Sequence, residues 1–218
     1  MQNIMRLDFE KIYKTNGFQG EESVSGPGSS LHKTRFLKKK LEMFFEEYNI
    51  QSMIDIPCGD YNWMRHVEMP TAMQYLGADI VQELIDRNNA LYGPQRTFRV
   101  MNIIRDILPE SNLIFCRDCF VHLPFPDIFL AIKSKIESKS SWLMLTTFPR
   151  VTANQELTNG IWRPLNMQMP PFCFPKPVNI FEEAPEIDKN NPFSDKSIGL
   201  WRIASLPEFF GQHPALLA

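Results

Sequence analysis

The sequence predicts an α/β protein built on a doubly wound, mostly parallel seven-stranded sheet that closes with an antiparallel strand pair. Three observations predict it. From Ser52 to Phe148 short apolar runs alternate with amphipathic segments, the strand-helix rhythm of a parallel sheet with crossover helices. The first run breaks at Pro57-Cys58-Gly59, a glycine turn of the kind that ends a strand beside a ligand in such folds. The last two runs, 178–183 and 198–204, follow a long proline-rich stretch and read as an antiparallel pair.

Length and composition bound the function classes. With 218 residues, 44% hydrophobic and 22% charged, the chain fits a single domain with a substantial core. A net charge of −2 gives no general attraction to nucleic acid or anionic membrane, so neither is expected as a partner. The run from His32-Lys33 to Lys38-Lys39-Lys40 reads as the solvated face of a helix. No apolar run approaches the ~20 residues needed to span a bilayer, and the first residues lack an apolar signal core. A soluble, cytoplasmic protein is the expectation. The four cysteines lie in apolar settings that suit reduced thiols. Cys116 and Cys119 form one C-x-x-C, but a zinc site wants a second ligand pair, so no metal is expected.

In chain order, residues 1–22 carry scattered apolar positions that predict a short helix ended by Gly17 and Gly20. Residues 23–30, S-V-S-G-P-G-S-S, are a loop by composition. From Leu31 to Tyr48, Phe36, Leu37, Leu41, Phe44 and Phe45 recur at helical spacing. The first strand, 52–56, meets the glycine turn and is expected to run into a helix near Asn62. The N-terminus of such a helix would offer backbone N–H groups to an anionic or nucleotide ligand.

The second strand, 74–80, carries Asp79, 24 residues beyond Asp55. That is close to the ~20-residue interval at which a carboxylate meets ribose hydroxyls in nucleotide-binding βαβ units. A cap on the following helix, 81–92, is the structural alternative, and the two roles can coexist. A third strand is expected at 97–103, with Asn102 near its end. A fourth runs from 112 to 116 and continues as R-D-C-F-V-H-L-P to Pro124, a strand end dense in polar groups where ligands bind in open sheets. Helix 127–138 and strand 141–148 complete the regular part. Residues 150–177 then hold prolines and aromatics in an irregular stretch too long for a simple connection, which reads as functional.

These motifs, M-I-D-I-P-C-G-D-Y-N-W-M, Y-L-G-A-D-I, L-I-F-C-R-D-C-F-V-H-L-P and W-L-M-L-T-T-F, followed by the terminal strand pair, resemble a class I S-adenosylmethionine-dependent methyltransferase. The likeness covers about residues 25–205. It is nearest to a bacterial branch with a D-x-P-C-G-D-x-x-W-M first motif and a later N-G-x-W-R-x-L-N segment followed by P-P-F. The resemblance implies a Rossmann-like cofactor-binding core over 51–148. A helical cap and cofactor-covering loop would occupy 1–50, a substrate lid 149–177, and the strand pair and tail 178–218. A monomer or homodimer is the expected assembly.

The same resemblance implies site residues. Asp55, Pro57, Cys58 and Gly59, with Trp63 alongside, would hold the methionine end of S-adenosylmethionine. Asp79 and Ile80 would meet the ribose, Asn102 and Ile103 the adenine, and Cys116, Arg117 and Asp118 the methionine amine and the reaction centre. Gly28, Ser29 and Thr34 would close over the cofactor, which leaves as S-adenosylhomocysteine. Pro57 and Tyr61 stand where the commoner pattern has glycines, and Asn102 where an acid is more usual. An amide can still donate to and accept from an adenine edge.

Chemistry narrows the catalytic candidates. Methyl transfer to a hydroxyl gains from a general base with a pKa near neutrality, which points to His122. A capping or packing role is its alternative. Asp118 would orient His122 or bind the amine, and Arg117 would hold an anionic group on the substrate or form an ion pair with an acid. In the irregular stretch, Asn154, Trp162, Arg163, Asn166 and Phe172 offer amides, a guanidinium and aromatic faces to a small-molecule acceptor. Packing of the loop is the alternative for Trp162 and Phe172. N-M-Q-M-P-P-F resembles the N-P-P-F-like tetrapeptide of amino-methyltransferases, but it follows the fifth strand instead of the fourth and its Asn stands three residues too early, so the resemblance argues against methylation of nucleic-acid or glutamine nitrogens. The expected activity is O-methylation of a hydroxylated or sugar-like metabolite. The alternative is a cofactor-binding partner or regulatory subunit without chemistry. A nicotinamide-dependent dehydrogenase is disfavoured because G-x-G-x-x-G is absent.

Overall fold

The computed structural model describes residues 7–158, 161–183 and 193–206. The expected seven-stranded, mostly parallel sheet with antiparallel C-terminal strands is present. Residues 8–102 form one compact unit and the described residues from 103 onward belong to another.

In the first unit, helix α1 (Phe9–Lys14) starts at Asp8, whose carboxylate accepts the N–H of Lys11 at 3.0 Å. Helix α2 (Leu31–Glu47) buries Thr34, Leu37, Leu41, Phe44 and Phe45 along one stripe. It stops where Asn49 turns left-handed at φ 49° and the N–H of Ile50 reaches back to the Phe45 carbonyl at 2.9 Å, a Schellman closure. Strands β1 (Ser52–Asp55), β2 (Gln74–Asp79) and β3 (Thr97–Val100) run parallel in the order β3-β2-β1. Helix α3 (Gln82–Tyr92) joins β2 to β3 and buries Leu84, Ile85 and Asn88. The bare backbone of Gly77 lets Phe98 lie across β2, because a Cβ there would stand 2.5 Å from the Phe98 ring. Tyr61, Tyr75, Tyr92 and Phe98 pack ring to ring over this spot, with Tyr61 5.1 Å from both Tyr92 and Phe98.

In the second unit, β4 (Leu113–Cys116) and β5 (Trp142–Thr147) are parallel, and helix α4 (Phe125–Glu137) connects them. Every residue of both strands is buried, which is why they read as continuous apolar runs. Strand β7 (Ser197–Arg202) is antiparallel to β5 and to β6 (Asn179–Glu182), giving the order β4-β5-β7-β6. Among the described residues no helix is long and apolar enough to cross a membrane.

Three expectations need correction. No α-helix follows the glycine turn: only a single 3-10 turn, Met64–His66, stands there, so the turn has no helix N-terminus behind it. The third strand ends at Val100 and leaves Asn102 in the loop beyond it. The fourth ends at Cys116, where Asp118 enters the left-handed region at φ 52°, and the polar run after it folds into a 3-10 turn at Phe120–His122. In each case pattern alone could not see where backbone pairing stops. The terminal pair is also more than an edge appendage, since β7 lies inside the sheet between β5 and β6.

Candidate active site

The first unit gathers its polar groups around the turn after β1. Gly59 sits at φ +55°, a conformation that suits a residue without Cβ. A Cβ there would also stand 2.2 Å from the Ser25 hydroxyl. Its N–H donates to Asp79 Oδ2 at 3.1 Å, and Asp79 Oδ1 accepts the N–H of Val81 at 3.1 Å. Asp79 therefore ends β2 as a buried carboxylate held by two backbone donors, one of them at the start of α3. Burial lifts its pKa above the usual value, and these N–H donors pull the other way.

The loop 23–30 folds onto this turn through Asp60. Its carboxylate accepts from the Ser23 hydroxyl at 2.9 Å and the Val24 N–H at 3.0 Å, while the Asp60 N–H donates to the Ser25 hydroxyl at 3.2 Å. Glu22 adds a second fastening: one of its oxygens accepts from the Leu31 N–H at 2.9 Å and the Asn62 amide at 2.7 Å. The Ser29 carbonyl also receives the Asn62 amide, at 3.2 Å, and Ser29 is buried beside Gly28 in a 3-10 turn. The Thr34 hydroxyl is turned to the Ser30 carbonyl at 2.9 Å. From behind, Asn88 donates to the Gly59 carbonyl at 2.8 Å.

Asp55 and Cys58 lie deeper. The Tyr75 hydroxyl donates to Asp55 Oδ2 at 2.7 Å inside the core. Burial drives the pKa of Tyr75 and of the Cys58 thiol well above their usual values, so both stay protonated at neutral pH. Cys58 donates its N–H to the Ala78 carbonyl at 2.8 Å. Pro57 lies between Asp55 and Cys58 in the turn, and Trp63 is buried just after it. Ile80 exposes 41% of its surface next to Asp79, and Asn102 is half-buried two residues past β3.

The second unit concentrates charge at the end of β4. Cys116 is fully buried, Ile103 nearly so. Arg117 is ion-paired with Glu183 and lies 3.4 Å from Asp118 Oδ2. Lys196 is paired with Asp118 and with Glu183, the latter at 2.7 Å. Asp118 Oδ1 is buried and, among the described residues, has no hydrogen-bond partner. Burial opposes its charge, but Lys196 and Arg117 outweigh that and hold its pKa down to about 2.

His122 follows in the 3-10 turn and is half-buried. Its Nδ1 is bonded to the Ile161 carbonyl, an acceptor only, so Nδ1 carries the proton and Nε2 the lone pair. Burial lowers its pKa below the usual value, although the Ile161 carbonyl and Asp118 favour the charged form. At neutral pH the ring is a neutral base.

The irregular stretch is fastened by the very side chains expected to meet an acceptor. Arg163 donates to the carbonyls of Gln155 at 3.0 Å, Phe120 at 2.9 Å and Val121 at 2.8 Å, and also to that of Leu123. Asn154 donates to the carbonyls of Asn166, Met169 and Pro170, and Asn166 donates to those of Pro149 and Val151. Phe172 is wholly buried against Phe125 and Phe129. Trp162, half-buried, packs edge-on against Phe148 and Phe193. These contacts describe loop packing for Phe172 and backbone anchoring for Asn154, Arg163 and Asn166.

Among the described residues no group of three or more His, Cys, Asp or Glu is placed to hold a metal ion. The four cysteines are free thiols. Each unit thus holds a carboxylate at a strand end: Asp79 is bound by backbone N–H groups after β2, and Asp118 is ion-paired after β4.

Sequence reasoning missed Asp60, Glu22 and Asn62 as fasteners of the loop, and Lys196 and Glu183 as partners of the β4 end. Asp60 stood inside the first motif and could have been singled out. Glu183 and Lys196 lie 66 and 78 residues from their partners, where no local pattern signals pairing.

No family model and no curated protein matches the chain. Solved structures do share its fold. The chain matches the PH0226 protein from Pyrococcus horikoshii OT3 at a TM-score of 0.60 and 10% identity, over 89% of this chain and 99% of that one. The methyltransferase domain of bacterial CtHen1-C follows at 0.59 and 12%, over 79% and 98%. Magnesium protoporphyrin IX methyltransferase (ChlM) from Synechocystis PCC 6803, solved with bound S-adenosylmethionine, matches at 0.51 and 15%, over 71% and 83%. Several further neighbours are matched over only about half of their own length. At these identities the likeness establishes the fold.

Proposed function

We propose that the protein is an S-adenosylmethionine-dependent methyltransferase that acts on a small-molecule acceptor, by O-methylation of a hydroxylated or sugar-like metabolite. The observation that carries this reading is the Asp79–Gly59 pairing: the acid ending β2 is bound at 3.1 Å to the glycine turn ending β1. A buried carboxylate beside a backbone turn, in a fold that methyltransferases share, supports a role for Asp79 toward ribose hydroxyls.

In this reading the cofactor supplies a methyl group on a sulfonium, already activated for transfer. The protein supplies position and charge. Asp79 accepts from the ribose hydroxyls. Asp118, held anionic by Lys196 and Arg117, is the group that would meet the amine of the methionine tail. Gly59 and the loop from Ser25 to Ser29, pinned by Asp60, shape the wall of the turn. Nε2 of His122 receives the proton of an acceptor hydroxyl, because its neutral state and Nδ1 proton orient the lone pair outward from the Ile161 carbonyl. Arg163 ties the Gln155 carbonyl to the turn that carries His122.

The test is incubation with S-adenosylmethionine and a panel of hydroxylated metabolites, read by a mass gain of one methyl. A methylated oxygen supports the reading. A methylated nitrogen contradicts the choice of acceptor atom while keeping the enzyme class.

A further inference from the structure

The turn that carries His122 is held from outside. It is a 3-10 turn of three residues, Phe120–His122, and so short an element closes few hydrogen bonds of its own. Arg163 supplies others. Its Nη1 donates to the carbonyls of Phe120 at 2.9 Å and Val121 at 2.8 Å, and its Nη2 donates to that of Leu123. The backbone N–H of Arg163 also donates to Val121, at 3.1 Å. His122 therefore stands between two residues whose carbonyls are gripped by one guanidinium. Two residues before Arg163, the Ile161 carbonyl is bonded to Nδ1 of the His122 ring. The backbone and the ring of His122 are thus fixed by the same short segment, 161–163. Arg163 is buried, and a buried cation costs free energy unless acceptors surround it. Glu156 stands 3.9 Å from it and takes the N–H groups of Phe125 and Leu157. The hydrogen bonds of the guanidinium go to backbone carbonyls: that of Gln155, and those of Phe120, Val121 and Leu123 around His122.

We infer that Arg163 is a positioning residue for His122: by gripping the carbonyls before and after it, Arg163 keeps the ring on the Ile161 carbonyl, with the proton on Nδ1 and the lone pair on Nε2. The hydrogen bond that a ring nitrogen makes decides which tautomer is present. Released from Ile161, the ring is free to carry its proton on Nε2, where it can no longer accept one. A planar guanidinium suits the task because its donors form a rigid fork, whereas a lysine ammonium is a single point on a flexible stem. Arg163, expected from sequence to meet the acceptor, thus acts on the chemistry through its neighbour. The catalytic consequence rests on the reading of His122 as the base, while the placement and the tautomer stand apart from it.

The tautomer is read by proton–nitrogen correlation NMR on the full chain with nitrogen-labelled histidines, at about pH 8, above the ordinary histidine range. The His122 signal is the one that His122→Gln removes. The wild-type spectrum is expected to show a protonated Nδ1 and a bare Nε2. Arg163→Lys keeps the charge and loses the fork, and is expected to bring in the Nε2–H form; thermal melts confirm folding, and Arg163→Gln replaces the variant if it does not fold. With an acceptor in hand, kcat of the folded variant should fall about ten- to hundredfold while S-adenosylhomocysteine affinity changes less than about twofold. A wild-type His122 protonated on Nε2, or a folded Arg163 variant that keeps the Nδ1–H form, overturns the inference. Equal losses in kcat and in S-adenosylhomocysteine affinity also overturn it, since they mark a merely structural role. A wild-type chain that binds no S-adenosylhomocysteine overturns the methyltransferase reading instead, and the spectrum, which needs neither cofactor nor acceptor, still decides on Arg163.

Discussion

Asp60 reaches back 36 residues to bind the backbone N–H of Val24 at 3.0 Å, so the carboxylate that closes the first motif also fixes the loop ahead of helix α2. The same carboxylate accepts the Ser23 hydroxyl, and the residue's own N–H meets Ser25. Loop and turn are thereby one hydrogen-bonded assembly.

Removing that carboxylate tests the assembly. Asp60→Ala leaves the N–H of Val24 and the hydroxyl of Ser23 without their acceptor. Hydrogen bonds to a charged group are worth about 1.5–3 kcal/mol each, with partial replacement by water at this half-buried site. Loss of about 1–2 kcal/mol of stability is expected, together with faster amide exchange at Val24 than in the wild-type chain. Unchanged exchange at Val24 would show that the loop is held by something else.

The ion pairs of Asp118 make a pH prediction. Asp118 has its folded pKa held down to about 2, below the ordinary 3.8, with burial opposing and Lys196 and Arg117 prevailing. A depressed carboxyl contributes stability that is fully present above its unfolded pKa and is lost as pH falls through the folded one. The window is therefore about pH 4 down to about 2, and the amplitude is on the order of 2 kcal/mol. Denaturant melts across this range should show the loss in the wild-type chain, and Asp118→Asn should flatten it. An acid limb that is the same in both proteins would contradict the ion pairs as described.

His122 predicts a split between binding and turnover. With an acceptor in hand, His122→Ala should lower kcat by about 10²–10⁴, the usual contribution of a positioned base, and leave S-adenosylhomocysteine affinity unchanged. Because burial depresses the pKa of this imidazole, the acid limb of kcat/KM should fall below the ordinary histidine value of 6.5, activity being lost as the ring protonates. Full activity in the variant would remove His122 from the chemistry.

The strands and the acid that ends β2 were legible because they depend on local pattern. Strands β1, β4 and β5 are apolar runs bounded by polar turns, and Asp79 follows the glycine turn at a spacing that carries meaning by itself. The site at the end of β4 was half legible. Arg117, Asp118 and His122 could be read as a polar strand end, but Glu183 and Lys196 join them only through the antiparallel return of β6 and β7, which no short window contains. The irregular stretch was hard to read for a different reason. Arg163, Asn154 and Asn166 have the chemistry of ligand contacts, and a loop with little regular pairing draws on the same groups to satisfy its own carbonyls. Sequence type alone cannot divide those two uses. The missing helix after Gly59 is a further case: one glycine turn was read as the start of a crossover helix, and the chain instead makes a single 3-10 turn at Met64–His66.

The measurement that bears most directly on the central claim is calorimetric titration of the purified chain with S-adenosylhomocysteine, alongside Asp79→Ala. The cofactor reading predicts saturable one-site binding by the wild-type protein. It predicts at least about tenfold weaker binding by a folded Asp79→Ala, since hydroxyl-to-carboxylate bonds are lost. No binding by the wild-type chain, or undiminished binding by the variant, would contradict it.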